Sequence, residues 1–120
     1  MTFLIGTRGS KLSLAQTNWV ISELQKENKD SEFEIKTITT KGDTDSRALF
    51  TIDQKGIFEK EIDKAVAEKE VDFAVHSLKD VPSDISESLT IACVPRRESA
   101  NDVLITKEGY NLKTIPSKSV

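Results

Sequence analysis

The chain has 120 residues, 37% of them hydrophobic and 31% charged, which suits one folded domain and argues against disorder. Its net charge of −3, without a basic stripe, excludes the phosphate-neutralising surface of most nucleic-acid-binding proteins. No apolar stretch is long enough to cross a bilayer, the N-terminus lacks a signal-peptide pattern and the lone Cys93 gives no disulfide, so we expect a cytoplasmic protein without membrane partners.

The first forty residues predict a strand, a helix and a second strand. Residues 3–6 form a short apolar run that stops at a glycine, which predicts a buried strand. Ser10 is placed to N-cap a helix over residues 11–26. Residues 33–39 are rich in β-branched side chains and predict the second strand. The helix positions predicted to face the core are Leu12, Ala15, Trp19, Val20 and Leu24.

The remaining pattern predicts a long loop, one helix and three strands. Residues 40–56 have a thin apolar pattern, typical of a functional or mobile loop. An amphipathic helix follows from Ile57 to about Lys69. Residues 71–75 are nearly all apolar, as in a parallel strand covered on both faces. Residues 89–94 and 103–106 predict two more strands.

Alternation of strands and helices favours an open α/β sheet with right-handed crossovers. Ligands of such sheets bind beyond the carboxyl ends of the strands, beside helix N-termini. Residues 7–10 and 76–80 both directly follow a predicted strand, so we expect the site there.

Arg8 and Ser10 lie at the predicted strand-to-helix turn. Free backbone N–H groups and the helix dipole favour an anion there, and a guanidinium adds bidentate recognition of a carboxylate or phosphate. The alternative is that Ser10 only caps the helix while Arg8 is a solvated turn residue.

Residues 76–80 (HSLKD) place an imidazole, a hydroxyl, an ammonium and a carboxylate just beyond a buried strand. The carboxylate could accept N–H groups of a substrate, stabilise positive charge or move a proton. The alternative is a surface turn in which Lys79 and Asp80 form a weak ion pair. His76 ends an apolar run and is more typical of a hydrogen-bonded structural histidine; no metal-site spacing accompanies it.

Three further residues have simpler interpretations. Lys55 precedes the second helix and could reach an anion at its N-terminus, although a solvated loop lysine is the commoner case. Cys93 alternates into the predicted 89–94 strand, where we expect a buried cysteine without function. Trp19 is predicted to be core.

Several ordered motifs resemble the porphobilinogen deaminase (hydroxymethylbilane synthase) family, and they extend over essentially the whole chain. The segment most diagnostic of the family is residues 72–82 (DFAVHSLKDVP). The other matching segments are residues 5–16 (IGTRGSKLSLAQ), 40–43 (TKGD), 55–62 (KGIFEKEI), 94–98 (VPRRE) and 102–104 (DVL).

The resemblance implies an enzyme of haem and tetrapyrrole biosynthesis that joins four porphobilinogen units with release of ammonia. It further implies a dipyrromethane cofactor bound to a cysteine through a thioether. By the same resemblance, Asp80 contacts pyrrole N–H groups and stabilises a cationic azafulvene intermediate, and Lys55 belongs to the mobile loop over the site. The residues that resemble holders of acetate and propionate side chains are Arg8, Ser10, Ser77 and Lys79.

The resemblance also implies a three-domain enzyme, of which this chain would be the N-terminal part. The fold implied is a lobe of the type II periplasmic-binding-protein kind with an open mixed sheet, made by residues 1–95 and incomplete. Residues 96–102 would be the interdomain crossover and residues 103–120 the start of domain 2. The cofactor cysteine would lie outside this chain, since Cys93 matches a strand position. The family is usually monomeric, whereas we expect the 120-residue chain to self-associate as a dimer or swapped assembly through an open sheet edge and exposed apolar surface.

Three functions remain open at this point. The first is a transferase portion with little activity by itself. The second is a single lobe that binds a small dicarboxylate without catalysis, and the third is a folded remnant with a structural role. Turnover of porphobilinogen separates the first from the others, and stabilisation by ligand separates the second from the third.

Overall fold

The computed structural model describes residues 1–40, 59–106 and 108–117. The predicted first strand, first helix and second strand are confirmed, with bounds shifted by one or two residues. The elements in chain order are strand β1 (Thr2–Thr7), helix α1 (Lys11–Glu27), strand β2 (Glu32–Thr37), helix α2 (Lys60–Ala67), strand β3 (Phe73–Ala74) and a single 3₁₀ turn (Leu78–Asp80).

The three strands form one sheet in the order β2-β1-β3, and both pairings are parallel. Ile5 is opposite Ile35 on one side and Phe73 on the other. The parallel arrangement of residues 71–75 is therefore confirmed, although only two residues join the ladder. The antiparallel strand that a mixed sheet requires is not among the described strands. Because the strands are parallel, β1 and β3 end at the same edge of the sheet.

The central strand β1 has a helix on each face. Thr7 faces α1, because the Thr7 and Thr17 hydroxyl groups share a hydrogen bond of 2.9 Å. Gly6 points to the opposite face, where a Cβ atom would lie 3.4 Å from Ile62 of α2 and 3.1 Å from Val71. Ile5 and Ile62 are both 0% exposed. This α/β/α layering follows from the apolar run of β1, which needs cover on both sides.

The predicted core stripe of α1 is wrong at its first three positions, whereas Val20 and Leu24 are half-buried. Leu12 is 62% exposed and Trp19 is 43% exposed, so Trp19 is not a core residue. The fully buried position is Thr17, whose hydroxyl is satisfied by Thr7 and by the carbonyl of Ser13. A threonine with both partners within the fold can occupy a core position, and a stripe drawn from apolar residues alone therefore missed the packed face.

Helix α2 confirms the second predicted helix over its central part. It ends at Ala67, and Lys69 has a left-handed φ of 59°, a conformation that stops a helix just beyond its C-cap. The predicted start at Ile57 and nearly all of the predicted 40–56 loop, including Lys55, lie outside the described residues.

The two predicted strands at 89–94 and 103–106 are wrong. Neither segment has helix or strand structure, and Cys93 is exposed and not buried. Val103 and Ile105 are 80% and 89% exposed. The physical reason is that no described strand pairs with these segments, so their apolar side chains have no core to enter. Within the described ranges, no helix is long and apolar enough to span a membrane.

Candidate functional site

A cleft of about 160 Å³ opens at the carboxyl edge of the sheet. The turn after β1 forms one wall, and the segment after β3 forms the other. The cleft is lined by Leu12, Ser13, Val75 and His76. Five of the six residues predicted from the sequence also line it, namely Arg8, Ser10, Ser77, Lys79 and Asp80. The sixth, Lys55, is outside the described residues.

Ser10 is the N-cap of α1, as predicted. Its backbone is extended, with φ −69° and ψ 149°, and its hydroxyl oxygen accepts the backbone N–H of Ser13 at 3.2 Å. The hydroxyl also donates to the Ser13 Oγ atom at 2.8 Å. This cap turns the chain from β1 into a 17-residue helix, whose N-terminal N–H groups and positive dipole end lie at the cleft.

The opposite wall is ordered by hydrogen bonds within the 3₁₀ turn. The Asp80 N–H donates to the Ser77 carbonyl at 2.8 Å. The Ser77 hydroxyl donates to Gln16 Oε1 on α1 at 3.0 Å. The latter contact joins the two walls across 61 residues of sequence, so the position of the turn depends on α1 as well as on β3.

Lys79 and Asp80 do not form the ion pair that the surface-turn interpretation required. No hydrogen bond or ion pair of either side chain involves another of the described residues. Lys79 is exposed, and Asp80 is half-buried in the wall of the cleft. A half-buried carboxylate that has no partner among the described residues can accept hydrogen bonds from a ligand.

His76 lies between the cleft and helix α2. Its Nε2 atom is 3.2 Å from Asp63 Oδ1, and the two side chains are 17% and 31% exposed. The contact lacks the alignment of a hydrogen bond, so the expected hydrogen-bonded histidine is replaced by one held beside a carboxylate. Among the residues with a described position, no three His, Cys, Asp or Glu side chains cluster as a metal site would require.

Sequence reasoning missed three residues of this site: Ser13, Gln16 and Asp63. Ser13 was detectable, because it stands three residues after the N-cap, where a capping box places a side chain near the cap. Gln16 and Asp63 had no local signal, since their partners Ser77 and His76 are far away in the chain.

The arrangement combines an anion-binding helix N-terminus, two cationic side chains and one carboxylate acceptor. Arg8 and Lys79 can hold carboxylate groups, the first with a planar fork and the second as a point charge. Asp80 can accept N–H groups or stabilise a cation between them. Such a cleft suits a small molecule that carries both carboxylates and N–H donors.

Comparison with known proteins places the chain among proteins of one family. Residues 3–120 match the family model described as porphobilinogen deaminase, dipyromethane cofactor binding domain. The chain is 67% identical over 120 residues to the probable porphobilinogen deaminase of Nitrosopumilus maritimus, covering 100% of this chain and 39% of that protein. It is 48% identical over 122 residues to the porphobilinogen deaminase of Clostridioides difficile, covering 100% of this chain and 40% of the relative. The chain therefore spans about two fifths of the relatives that it matches.

Proposed function

The chain belongs to the porphobilinogen deaminase family, and we propose that it forms the cofactor- and substrate-binding lobe of a hydroxymethylbilane synthase. This transferase joins four porphobilinogen units head to tail and releases ammonia. The observation that carries the proposal is the cleft itself, which gathers Arg8, Lys79 and Asp80 from two distant parts of the chain. Porphobilinogen has two carboxylates and a pyrrole N–H, and these groups complement the three side chains.

The residues of the cleft fit the dipyrromethane group named by the family model. Pyrrole N–H groups require an acceptor, and the half-buried Asp80 carboxylate has no other partner in the described part of the chain. The carboxylate side chains of the group require cations and N–H donors, which Arg8, Lys79 and the α1 N-terminus supply. Bound there, the cofactor would supply the primer on which the pyrrole units are assembled. Cys93 does not line the cleft.

Each side chain then has a distinct role. Asp80 accepts the pyrrole N–H groups and stabilises positive charge that develops on the substrate as ammonia leaves, an electrostatic effect worth most where water is excluded. Arg8 and Lys79 orient the acetate and propionate groups, with Ser10 and Ser77 beside them. By the family resemblance, Lys55, which lies outside the described residues, would also bind the cofactor or substrate. Orientation of this kind brings the reacting atoms together and lowers the barrier.

The proposed domain organisation follows the same family. Residues 1–95 would form most of a periplasmic-binding-protein-like lobe, residues 96–102 the crossover and residues 103–120 the start of the next domain. The parallel sheet with a helix on each face supports the first assignment. The exposed apolar side chains of Val103 and Ile105 support the last, because a second domain would give them a core.

A single-lobe binding module is the second candidate. The cleft of about 160 Å³ is smaller than the roughly 300–1,000 Å³ typical of sites that enclose a whole small molecule. The described residues alone would therefore bind part of a dicarboxylate ligand without turning it over.

The test is turnover of porphobilinogen by the protein as its gene encodes it, with Asp80→Asn beside Asp84→Asn. Asp84 is four residues away, exposed and outside the cleft. We expect Asp80→Asn to lower kcat about 100-fold or more with a smaller change in KM, and Asp84→Asn to leave both unchanged. Equal activity of the two variants would contradict the role of Asp80. Binding of porphobilinogen without any turnover by the parent protein would favour the binding module.

A further inference from the structure

Three serine hydroxyls line the cleft, and each has only one hydrogen to donate. The hydrogen of Ser10 is donated to Ser13 Oγ at 2.8 Å. The hydrogen of Ser77 is donated to Gln16 Oε1 at 3.0 Å. The two serines that the family resemblance assigns to carboxylate binding have therefore already placed their hydrogens within the protein.

Ser13 is the exception. Its oxygen accepts the hydrogen from Ser10, and its backbone N–H is satisfied by the same residue. Its own hydroxyl hydrogen has no acceptor among residues 1–40, 59–106 and 108–117. The side chain is half-buried and lines the cleft with Arg8 and Lys79. A hydroxyl in that position is a donor that lines the ligand space and has no acceptor among the described residues.

We propose that Ser13 is a ligand-binding residue of this site, whose hydroxyl donates a hydrogen bond to a carboxylate of the bound pyrrole. Ser10 then acts indirectly. The hydrogen bond that it donates polarises the Ser13 hydroxyl and strengthens the hydrogen bond from Ser13 to the carboxylate. The inference deepens the proposed function and rests on it, because that function supplies the carboxylate.

The position of Ser13 on α1 adds to the effect. It is the third residue of the helix, so a carboxylate that it binds lies within the first turn, where the helix dipole favours negative charge. Arg8 and Lys79 add full positive charges from both walls. A hydrogen bond to a charged acceptor contributes more than one between neutral groups, so the loss of this one hydroxyl is measurable as a change in affinity.

The sharpest test compares Ser13→Thr with Ser13→Val in the gene-encoded protein. The two side chains have nearly the same shape, and only threonine keeps the hydroxyl. We expect Ser13→Thr to stay within about threefold of the parent KM for porphobilinogen. Ser13→Val should raise KM about 10-fold or more with little change in kcat, since a hydrogen bond to a charged group is worth at least about a tenfold change in binding.

Controls separate binding from structure. Ser22→Val changes an exposed serine of the same helix whose hydroxyl donates to the Trp19 carbonyl, and we expect KM unchanged. Binding of porphobilinogen, measured by calorimetry, should show the same gap between Ser13→Thr and Ser13→Val. The gap should narrow for an analogue in which the contacted carboxylate is replaced by an amide, because a hydrogen bond to a neutral acceptor contributes less than one to a charged acceptor. A purely structural role would not produce this change.

The outcomes are distinct for the two claims. Equal KM and equal affinity for Ser13→Thr and Ser13→Val would overturn the role of Ser13 while the proposed function stands. A parent protein that binds porphobilinogen without turnover would defeat the proposed catalysis, and the calorimetric comparison would still decide the role of Ser13. A parent protein that does not bind porphobilinogen would overturn both.

Discussion

The chain divides into two regions that look alike in sequence and differ in structure. Residues 1–80 contain all three described strands, both described helices and the cleft. Residues 81–117 contain predicted strands with the same apolar and β-branched character, yet none forms. Ile62 in the first region is 0% exposed, whereas Ile105 in the second is 89% exposed.

The difference shows that a strand-like sequence pattern is not sufficient to form a strand. The segment also needs a neighbouring strand to pair with. Strand β3 has only two residues in the ladder. It is held because the Asp72 N–H donates to the Leu4 carbonyl at 2.8 Å and the Asp72 carboxylate accepts the Leu4 N–H at 2.7 Å. The 103–106 segment has no such neighbour in the described part of the chain, so its backbone groups remain with water.

The largest expected effect on stability compares the same substitution, isoleucine to alanine, in the two regions. Ile62→Ala should lower the free energy of unfolding by about 2–5 kcal/mol, because it leaves a cavity between α2 and the sheet. Ile105→Ala should change it by less than about 0.5 kcal/mol. Urea denaturation of the 120-residue chain, at a concentration low enough that the chain is monomeric, measures both. A large loss at Ile105 would break the comparison and show that residues 103–106 are packed.

The second-largest expected effect concerns self-association of the chain. Val103 and Ile105 are exposed, and each would contribute about 1.5–3 kcal/mol if an interface buried it. We expect the 120-residue chain to form a dimer or a swapped assembly in sedimentation experiments. Replacing both residues by lysine should shift it toward monomer, whereas Thr90→Lys, at another exposed site, should not. A monodisperse monomer at all concentrations contradicts this expectation.

A smaller effect concerns the buried threonine of α1. Thr17→Val keeps the shape but removes the hydroxyl that Thr7 and the Ser13 carbonyl share. We expect a loss of about 1–3 kcal/mol, since a buried hydroxyl then lacks its partner. Thr90→Val, at an exposed position, is the matched control and should be neutral. Equal stability of the two variants would show that α1 does not depend on this contact.

The smallest expected effect on stability concerns an exposed ion pair within residues 1–80. Lys36 donates to Glu70 at 2.8 Å, and this hydrogen bond and charge lower the pKa of Glu70 below its ordinary value of 4.5. Because the pKa of Glu70 is lower in the folded than in the unfolded state, the ion pair stabilises the fold at pH values above the unfolded-state pKa. This stabilisation is lost as the pH falls through the folded-state pKa. Lys36→Met should raise the pKa of Glu70, as followed by NMR titration. The stabilities of parent and variant should converge in acid and differ slightly at neutral pH, where exposed pairs contribute little.

The site was more predictable than the packing around it. Arg8, Ser10, Ser77, Lys79 and Asp80 were found because each follows a strand, and parallel strands bring their carboxyl ends together. Trp19 and Cys93 were misplaced because an apolar residue enters a core only where the fold offers one. Gln16 and Asp63 were missed because their contacts leave no trace in local spacing. Gln16 contacts Ser77, 61 residues away, and Asp63 contacts His76 on a different element.

By itself, the sequence determined the family and the order of strands and helices in residues 1–75, including the parallel strand that ends this region. It also determined which polar residues lie at the carboxyl edge of the sheet. These follow from local periodicity, caps and motifs, which depend on neighbours in the chain. Only the tertiary structure decided which face of α1 is buried, which hydroxyl of the cleft keeps a hydrogen to donate and that residues 89–106 lack a sheet partner. Each of these depends on atoms distant in sequence, because a hydrogen bond or a core contact is settled by what lies opposite in space.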